Sequence, residues 1–176
     1  ACHVLTTELN LDRFNMAIRY FNLSIRNLAW RLRKFDDILG EFLVQEIKNH
    51  SDEIVNLITQ NQLYEKGING NKVEIMSYAP YKPSTIAYKS KKGQPINRVT
   101  LKDTGEWYGS LEIAFDVDGF FITSATDNIK SGYLKKKYGD RILRLTNENL
   151  SYVLNEYIRP KLKKHLKEYL QRNEGL

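Results

Sequence analysis

Eight apolar side chains, Leu11, Phe14, Ile18, Phe21, Ile25, Leu28, Leu32 and Phe35, recur at alternating steps of three and four residues. That spacing places them on one narrow stripe of an α-helix, the a/d seam of a heptad pattern held over about three and a half repeats. A long amphipathic helix is therefore expected, with a seam able to bury against the protein's own sheet or against a copy of itself. Arg19, Arg26 and Arg33 each follow an a position by one residue and form a basic stripe, either solvated or facing an acidic partner or phosphate. Asp36 and Asp37 then offer an N-cap for a second helix, in which Ile38, Phe42, Leu43, Ile47, Ile54 and Ile58 carry an apolar face to about Asn61. Gly40 leaves open whether the two helices form a hairpin or one bent rod.

With 176 residues, 41% of them hydrophobic, the chain can bury one core and has little length for a second full domain. The expected organisation is a helical segment over 1–62 followed by an α+β core over 63–176. No run approaches the roughly 18 to 20 apolar residues of a membrane span, and no basic stretch, apolar core and small-residue cleavage site open the chain. A soluble protein with no visible secretory signal and no membrane partner is expected. Cys2 is the single cysteine, so one chain holds neither a disulfide framework nor a cysteine zinc site.

The net charge of +6 matters less than its placement. Ile75 to Lys102 contains no acid, while Lys82, Lys89, Lys91, Lys92, Arg98 and Lys102 are basic. Tyr78, Tyr81 and Tyr88 are interleaved with them, a composition suited to a single-strand nucleic-acid groove in which aromatics stack bases and lysines track phosphates. The other reading is a solvated loop. Gly67, Gly70, Pro80, Pro83, Gly93 and Pro95 break up the pattern over about 67–100, and "NGNK" at Asn69–Lys72 has tight-turn chemistry. An extended, mobile arm is expected here, used for binding rather than for core.

Residues 111–125 read as a β-hairpin with Asp118-Gly119 as its two-residue turn, which pairs Val117 with Phe120, Phe115 with Ile122, and Ile113 with Ser124. Leu111, Ile113, Phe115, Val117, Phe120 and Ile122 then share one face. A lone two-stranded ribbon is marginal in water, so further strands or the long helices must cover that face, which couples helices and hairpin in an α+β fold. A short basic segment, "GYLKKKYGDRILRLT", leads to a C-terminal helix over about 147–171, capped by Thr146 with Glu148 in its first turn. Pro160 is expected to kink or split that helix.

A catalytic reading finds little support. His3, His50 and His165 are far apart with no metal-ligand spacing, and Asp116, Asp118 and Gly119 lack the remaining oxygen ligands of a calcium loop. No phosphate-binding glycine loop is present. "EIK" at Glu46–Lys48 has the letters of a nuclease strand, but on a helix its first and third residues project about 200° apart. In "VTLKDTGEWYGSL", Asp103, Thr104 and Ser110 have no His or Lys arranged as a general base. The structural reading has Asp103 or Thr104 capping a turn, Gly105 taking dihedrals other residues avoid, and Trp107 and Tyr108 starting the packing into the hairpin. No catalytic residue, cofactor or metal is assigned.

"LKDTGEWYGSL", Leu101 to Leu111, resembles a motif of tailed-phage virion morphogenesis and tail-completion proteins, L-T-x-T-G-x-L-x-x-S-I, which leads from a basic, Pro-containing loop into a β-hairpin. "YAPYKPSTIAYKSKKGQP" before it and "KKYGDRILRLTNENL" with a closing helix after it follow the same order. The resemblance spans roughly Leu63 to Leu170 and leaves out the heptad helix. Lys102-Asp103 replaces the Thr-x pair and Trp107 the usual Leu. The resemblance implies a non-enzymatic virion protein of the head–tail connector, assembled in the host cytoplasm as a homo-oligomeric ring and joined to other neck, portal or tail proteins, with contact with DNA left open. Tyr81, Lys82, Tyr88, Lys89, Lys91, Lys92 and Arg98 would then be the arm's interaction residues, and Asp103, Thr104, Gly105 and Trp107 a structural turn. The alternative is a sequence-tolerant nucleic-acid-binding module built on the 75–102 segment.

Overall fold

The computed structural model describes residues 2–116, 119–124 and 129–172, with 2–24, 37 and 129 described by their backbone alone. The fold is α+β, with eight α-helices and one two-stranded antiparallel sheet among the described residues. The chain divides into two compact units, one made of 1–43 and 162–176 and the other of 44–161. The boundaries fall inside two helices rather than near residue 62.

The first unit is built from helix α1, Cys2–Asn49, and the end of the last helix, α8, Arg159–Arg172. Helix α1 runs through Asp36 and Gly40 without a break, so the expected cap and second helix do not form. The physical reason lies on both sides of Gly40. Phe35 packs against His165 and Tyr169 with ring centroids 5.6 and 5.3 Å away, and Phe42 stacks on His165 at 4.5 Å. Contacts that straddle the glycine outweigh its helix penalty of about 1 kcal/mol. Phe35 is buried, whereas Ile25, Leu28 and Leu32 remain roughly half exposed.

The second unit holds most of the core. Helix α2, Ser51–Asn56, widens into a π-helical stretch, Leu57–Lys66, and Ile54, Ile58, Gln62 and Leu63 on it are fully buried. Short helices α3, Ile75–Tyr78, α4, Pro83–Lys91, and α5, Glu106–Gly109, precede strands β1, Leu111–Asp116, and β2, Gly119–Ser124. Helix α6, Ile129–Tyr138, and a 3-10 turn, Asp140–Leu143, occupy the segment read as a basic connection. Helix α7, Asn147–Tyr152, then continues through a π-helical stretch, Val153–Ile158, into α8. Thr146 caps α7, its side chain accepting from the Asn149 N–H at 3.3 Å. The wide turn immediately precedes Pro160, whose ring would otherwise meet the carbonyl one turn back, and the helix is not split there.

The hairpin register differs from the expected one by two residues. Ile113 pairs with Ile122, Phe115 with Phe120, and Asp116 with Gly119, so Gly119 is a strand residue and not half of the turn. Val117 and Asp118, which the expected turn and pairing used, lie outside the described residues. A slip of two keeps each side chain on its face, and Leu111, Ile113, Phe115, Phe120 and Ile122 still point together. Strand β1 is covered by α2, and the Lys48 ammonium lies 5.6 Å from the centre of the Phe115 ring.

Candidate functional site

The acid-free segment is folded into the second unit rather than extended as an arm. Asn69 is buried and closes the turn after Gly67, its Oδ1 accepting from the N–H groups of Asn71 and Val73 at 2.9 and 3.2 Å. Gly70 lies against Arg144, where a Cβ would come within 2.5 Å of the Arg144 Cβ and 2.7 Å of its carbonyl oxygen. Lys82 is the extended residue before α4, and Pro83 opens that helix, where a missing N–H costs nothing.

Helix α4 is held to the "TLKDTG" turn by Lys89. Its ammonium donates to the Lys102 carbonyl at 2.6 Å and to Gln94 Oε1 at 2.8 Å, with Thr100 Oγ1 at 3.4 Å, so its donors are spent inside the fold. The Tyr81 ring lies 5.3 Å below the same ammonium, and the Tyr81 hydroxyl accepts from the Thr100 N–H at 2.9 Å. Tyr108 donates to the Thr100 carbonyl, and its burial raises the phenol pKa above its ordinary value. Tyr81 and Lys89 are only 8% and 5% exposed. Both were expected on a gripping arm, and both are core residues instead. An ammonium that replaces water with three oxygen acceptors can be buried without an acid nearby.

Two further cations of the segment are engaged internally. Arg98 Nε donates to the Tyr64 carbonyl at 2.7 Å. Lys92 pairs with Asp103 at 2.9 Å and lies 4.3 Å from the centre of the Tyr88 ring, while the Tyr88 hydroxyl donates to the same carboxylate at 3.3 Å. Hydrogen bonding to Tyr88 and then to Asp103 raises the Lys92 pKa, and the Lys92 bond is the main cause that lowers that of Asp103. Lys82 and Lys91 remain exposed to solvent.

The quoted turn itself is structural in its geometry. Thr104 Oγ1 accepts from the Glu106 N–H at 3.3 Å, and Gly105 sits at φ +93°, which a side chain would strain. Trp107, 1% exposed, and Tyr108 anchor the short helix that delivers the chain to β1. Asp103 spends its carboxylate on Lys92 and Tyr88 rather than on capping. Among the described residues, no three His, Cys, Asp or Glu side chains gather in a group that could hold a metal ion.

The turn leads into the two-stranded sheet. Each strand of the two-stranded sheet has an outer edge with no strand partner among the described residues. Beside β2 runs a cleft of about 520 Å³ lined by Phe120, Phe121 and Ile122 from the strand and by Leu143, Leu145 and Leu150 from the segment that follows α6. Phe121 is 45% exposed, and Leu150 also presents apolar surface to solvent. Lys135, Asp140 and Arg144 add charge to the lining. An unpaired edge beside an apolar cleft can accept an added strand or apolar segment, with backbone groups for affinity and the cleft for side chains.

Sequence reasoning missed this cleft, because Leu143, Leu145 and Leu150 carry no periodicity with β2. It also missed Gln62, which is fully buried and joins three segments: its Nε2 donates to the Arg144 carbonyl at 2.9 Å, and its Oε1 accepts from the Thr146 N–H at 2.7 Å and from Asn149 Nδ2 at 3.0 Å. A polar residue inside the apolar spacing of a helix was the available signal. No helix among the described residues is long and apolar enough to cross a membrane. No family model, no curated protein and no solved structure matches this chain.

Proposed function

We propose that this chain is a virion structural protein of the neck or tail-completion type, a ring subunit in phage head–tail joining that acts by assembly and not by catalysis. The observation that carries the reading is the β2 edge with its apolar cleft, on the hairpin that follows the "LKDTGEWYGSL" turn resembling the tail-completion motif. In a closed ring each subunit presents one surface to the next and a different one to the last, which satisfies every edge. The β2 edge and cleft form one such surface, and Lys82 and Lys91 remain available for the next component of the neck.

The alternative of a nucleic-acid groove draws on the same segment. Lys89 has its donors committed inside the fold, Lys92 is paired with Asp103, Arg98 Nε is bonded to the Tyr64 carbonyl and Tyr81 is buried, which leaves fewer free cations and aromatics for a phosphate track.

Negative-stain electron microscopy of the purified protein at low and high salt, with Phe121→Lys as the comparison, tests the reading. Closed rings that persist in high salt and are lost in Phe121→Lys are expected, because apolar packing is little screened by ions. Absence of rings at every salt concentration, together with tight single-stranded DNA binding that falls steeply with salt, would replace this reading with the nucleic-acid module.

A further inference from the structure

The seam of helix α1 is covered in one part and bare in another. The end of α8 packs on it at Phe42 and Phe35, and the farthest of these contacts along α1 is the Arg31 guanidinium, which donates to the Leu170 carbonyl. On the N-terminal side, Ile25 is 50% exposed and Leu28 46%, and Leu32, beside Arg31, is 44% exposed. The sequence carries the same a/d spacing back through Phe21, Ile18, Phe14 and Leu11, so the apolar repeat runs along roughly 30 Å of helix.

We infer that this seam is a self-association surface on which copies of the chain pair in parallel as a coiled coil. Three features select a second copy as the occupant. The a and d positions are apolar in every repeat, the spacing that suits a facing helix with the same repeat, while the apolar f residues Met16, Leu23 and Trp30 lie at the position opposite that seam. The positions that border the seam, e and g of the heptad, are Asn15, Ala17, Asn22, Ser24 and Ala29, all uncharged, so two copies meet without like-charge repulsion. The Arg19, Arg26 and Arg33 stripe lies at position b, away from the contact.

The next bordering pair fixes the direction. Arg31 is a g residue and Asp36 is the e residue five positions later, and in a parallel pair the g residue of one chain faces that e residue of the other. Arg31 meets no carboxylate among the described residues, and Asp36 is exposed with no ion pair among them. Pairing two copies therefore supplies each with its opposite charge, twice per dimer.

The inference does not depend on the ring reading, since Phe121 belongs to the other compact unit. Light-scattering mass on a sizing column, with helicity by circular dichroism, separates the two. Made in the Phe121→Lys background, which removes the ring contact, the change Ile25→Asp/Leu28→Asp at exposed positions is expected to bring the protein to the single-chain mass with unchanged helicity, at concentrations where Phe121→Lys alone retains twice that mass. In a Cys2→Ser background, Ile25→Cys is expected to give an oxidised covalent dimer, as a positions meet across a parallel seam, and Arg26→Cys is not. A wild-type chain of single-chain mass throughout the micromolar range, or an Ile25→Asp/Leu28→Asp/Phe121→Lys variant with the same mass as Phe121→Lys, overturns the inference. Cross-linking through Arg26→Cys with none through Ile25→Cys overturns the parallel register.

Discussion

Lys89 shows how a charged side chain can serve as core. Its ammonium joins α4 to the turn through three oxygens, so Lys89→Met, which keeps the apolar stem and removes the donors, leaves the Lys102 carbonyl short of its partner. Urea unfolding should show a loss of about 1–3 kcal/mol. Gln62→Leu strands the Thr146 N–H and the Arg144 carbonyl and should cost a similar amount, about 1–3 kcal/mol by the same measurement. Asp103 has a lowered pKa in the fold because Lys92 bonds its carboxylate. The stability that this pairing contributes is present above the ordinary carboxylate range and is lost as pH falls through the lowered value. Asp103→Asn should therefore flatten the acid limb of the stability profile and, because Asp103, after Tyr88, also raises the Lys92 pKa, weaken the alkaline limb where lysine titrates. At this scale the turn residues were legible and the lysines were not. Thr104, Gly105 and Trp107 act through local dihedrals and bulk, whereas the acceptors of Lys89 are mostly carbonyl and amide oxygens that leave no trace of opposite charge in the sequence.

Secondary-structure elements were legible where one period dominated. The heptad spacing describes a helix, and Thr146 caps another where its hydroxyl reaches the Asn149 N–H. Thr146→Ala should lower stability by about 1 kcal/mol, measured by thermal or urea unfolding. The hairpin's faces were readable because side chains alternate strictly, but its register was not, since a shift of two residues leaves the same faces. Asp36 and Gly40 carry break signals that the Phe35 and Phe42 contacts with His165 override, and those contacts join residues more than a hundred positions apart. Distance in sequence likewise hid the approach of Gly70 to Arg144. Gly70→Ala should cost about 1–3 kcal/mol through overpacking against the Arg144 backbone, read out as a lowered urea midpoint.

For the whole molecule, the helix and hairpin patterns announced the α+β class, whereas composition misread how the acid-free segment folds. The acid-free segment has the glycine, proline and lysine content of a mobile arm, yet Val99 and Thr100 within it are fully buried. What folds it is a set of tertiary hydrogen bonds from Lys89, Tyr81 and Arg98, none of which has a periodic signature. Among the described residues two apolar surfaces then stand uncovered, the β2 edge with its cleft in one unit and the seam at Ile25, Leu28 and Leu32 in the other. Both are apolar, and neither needs a bound metal or cofactor to associate. Under the proposed function, the central claim is that neighbouring subunits complete these surfaces. Light-scattering mass of the wild-type chain on a sizing column, at low and high salt and with or without single-stranded DNA, tests that claim most directly. A multiple of the single-chain mass that resists salt and ignores DNA is predicted, and a single-chain mass that shifts only with DNA at low salt would contradict it.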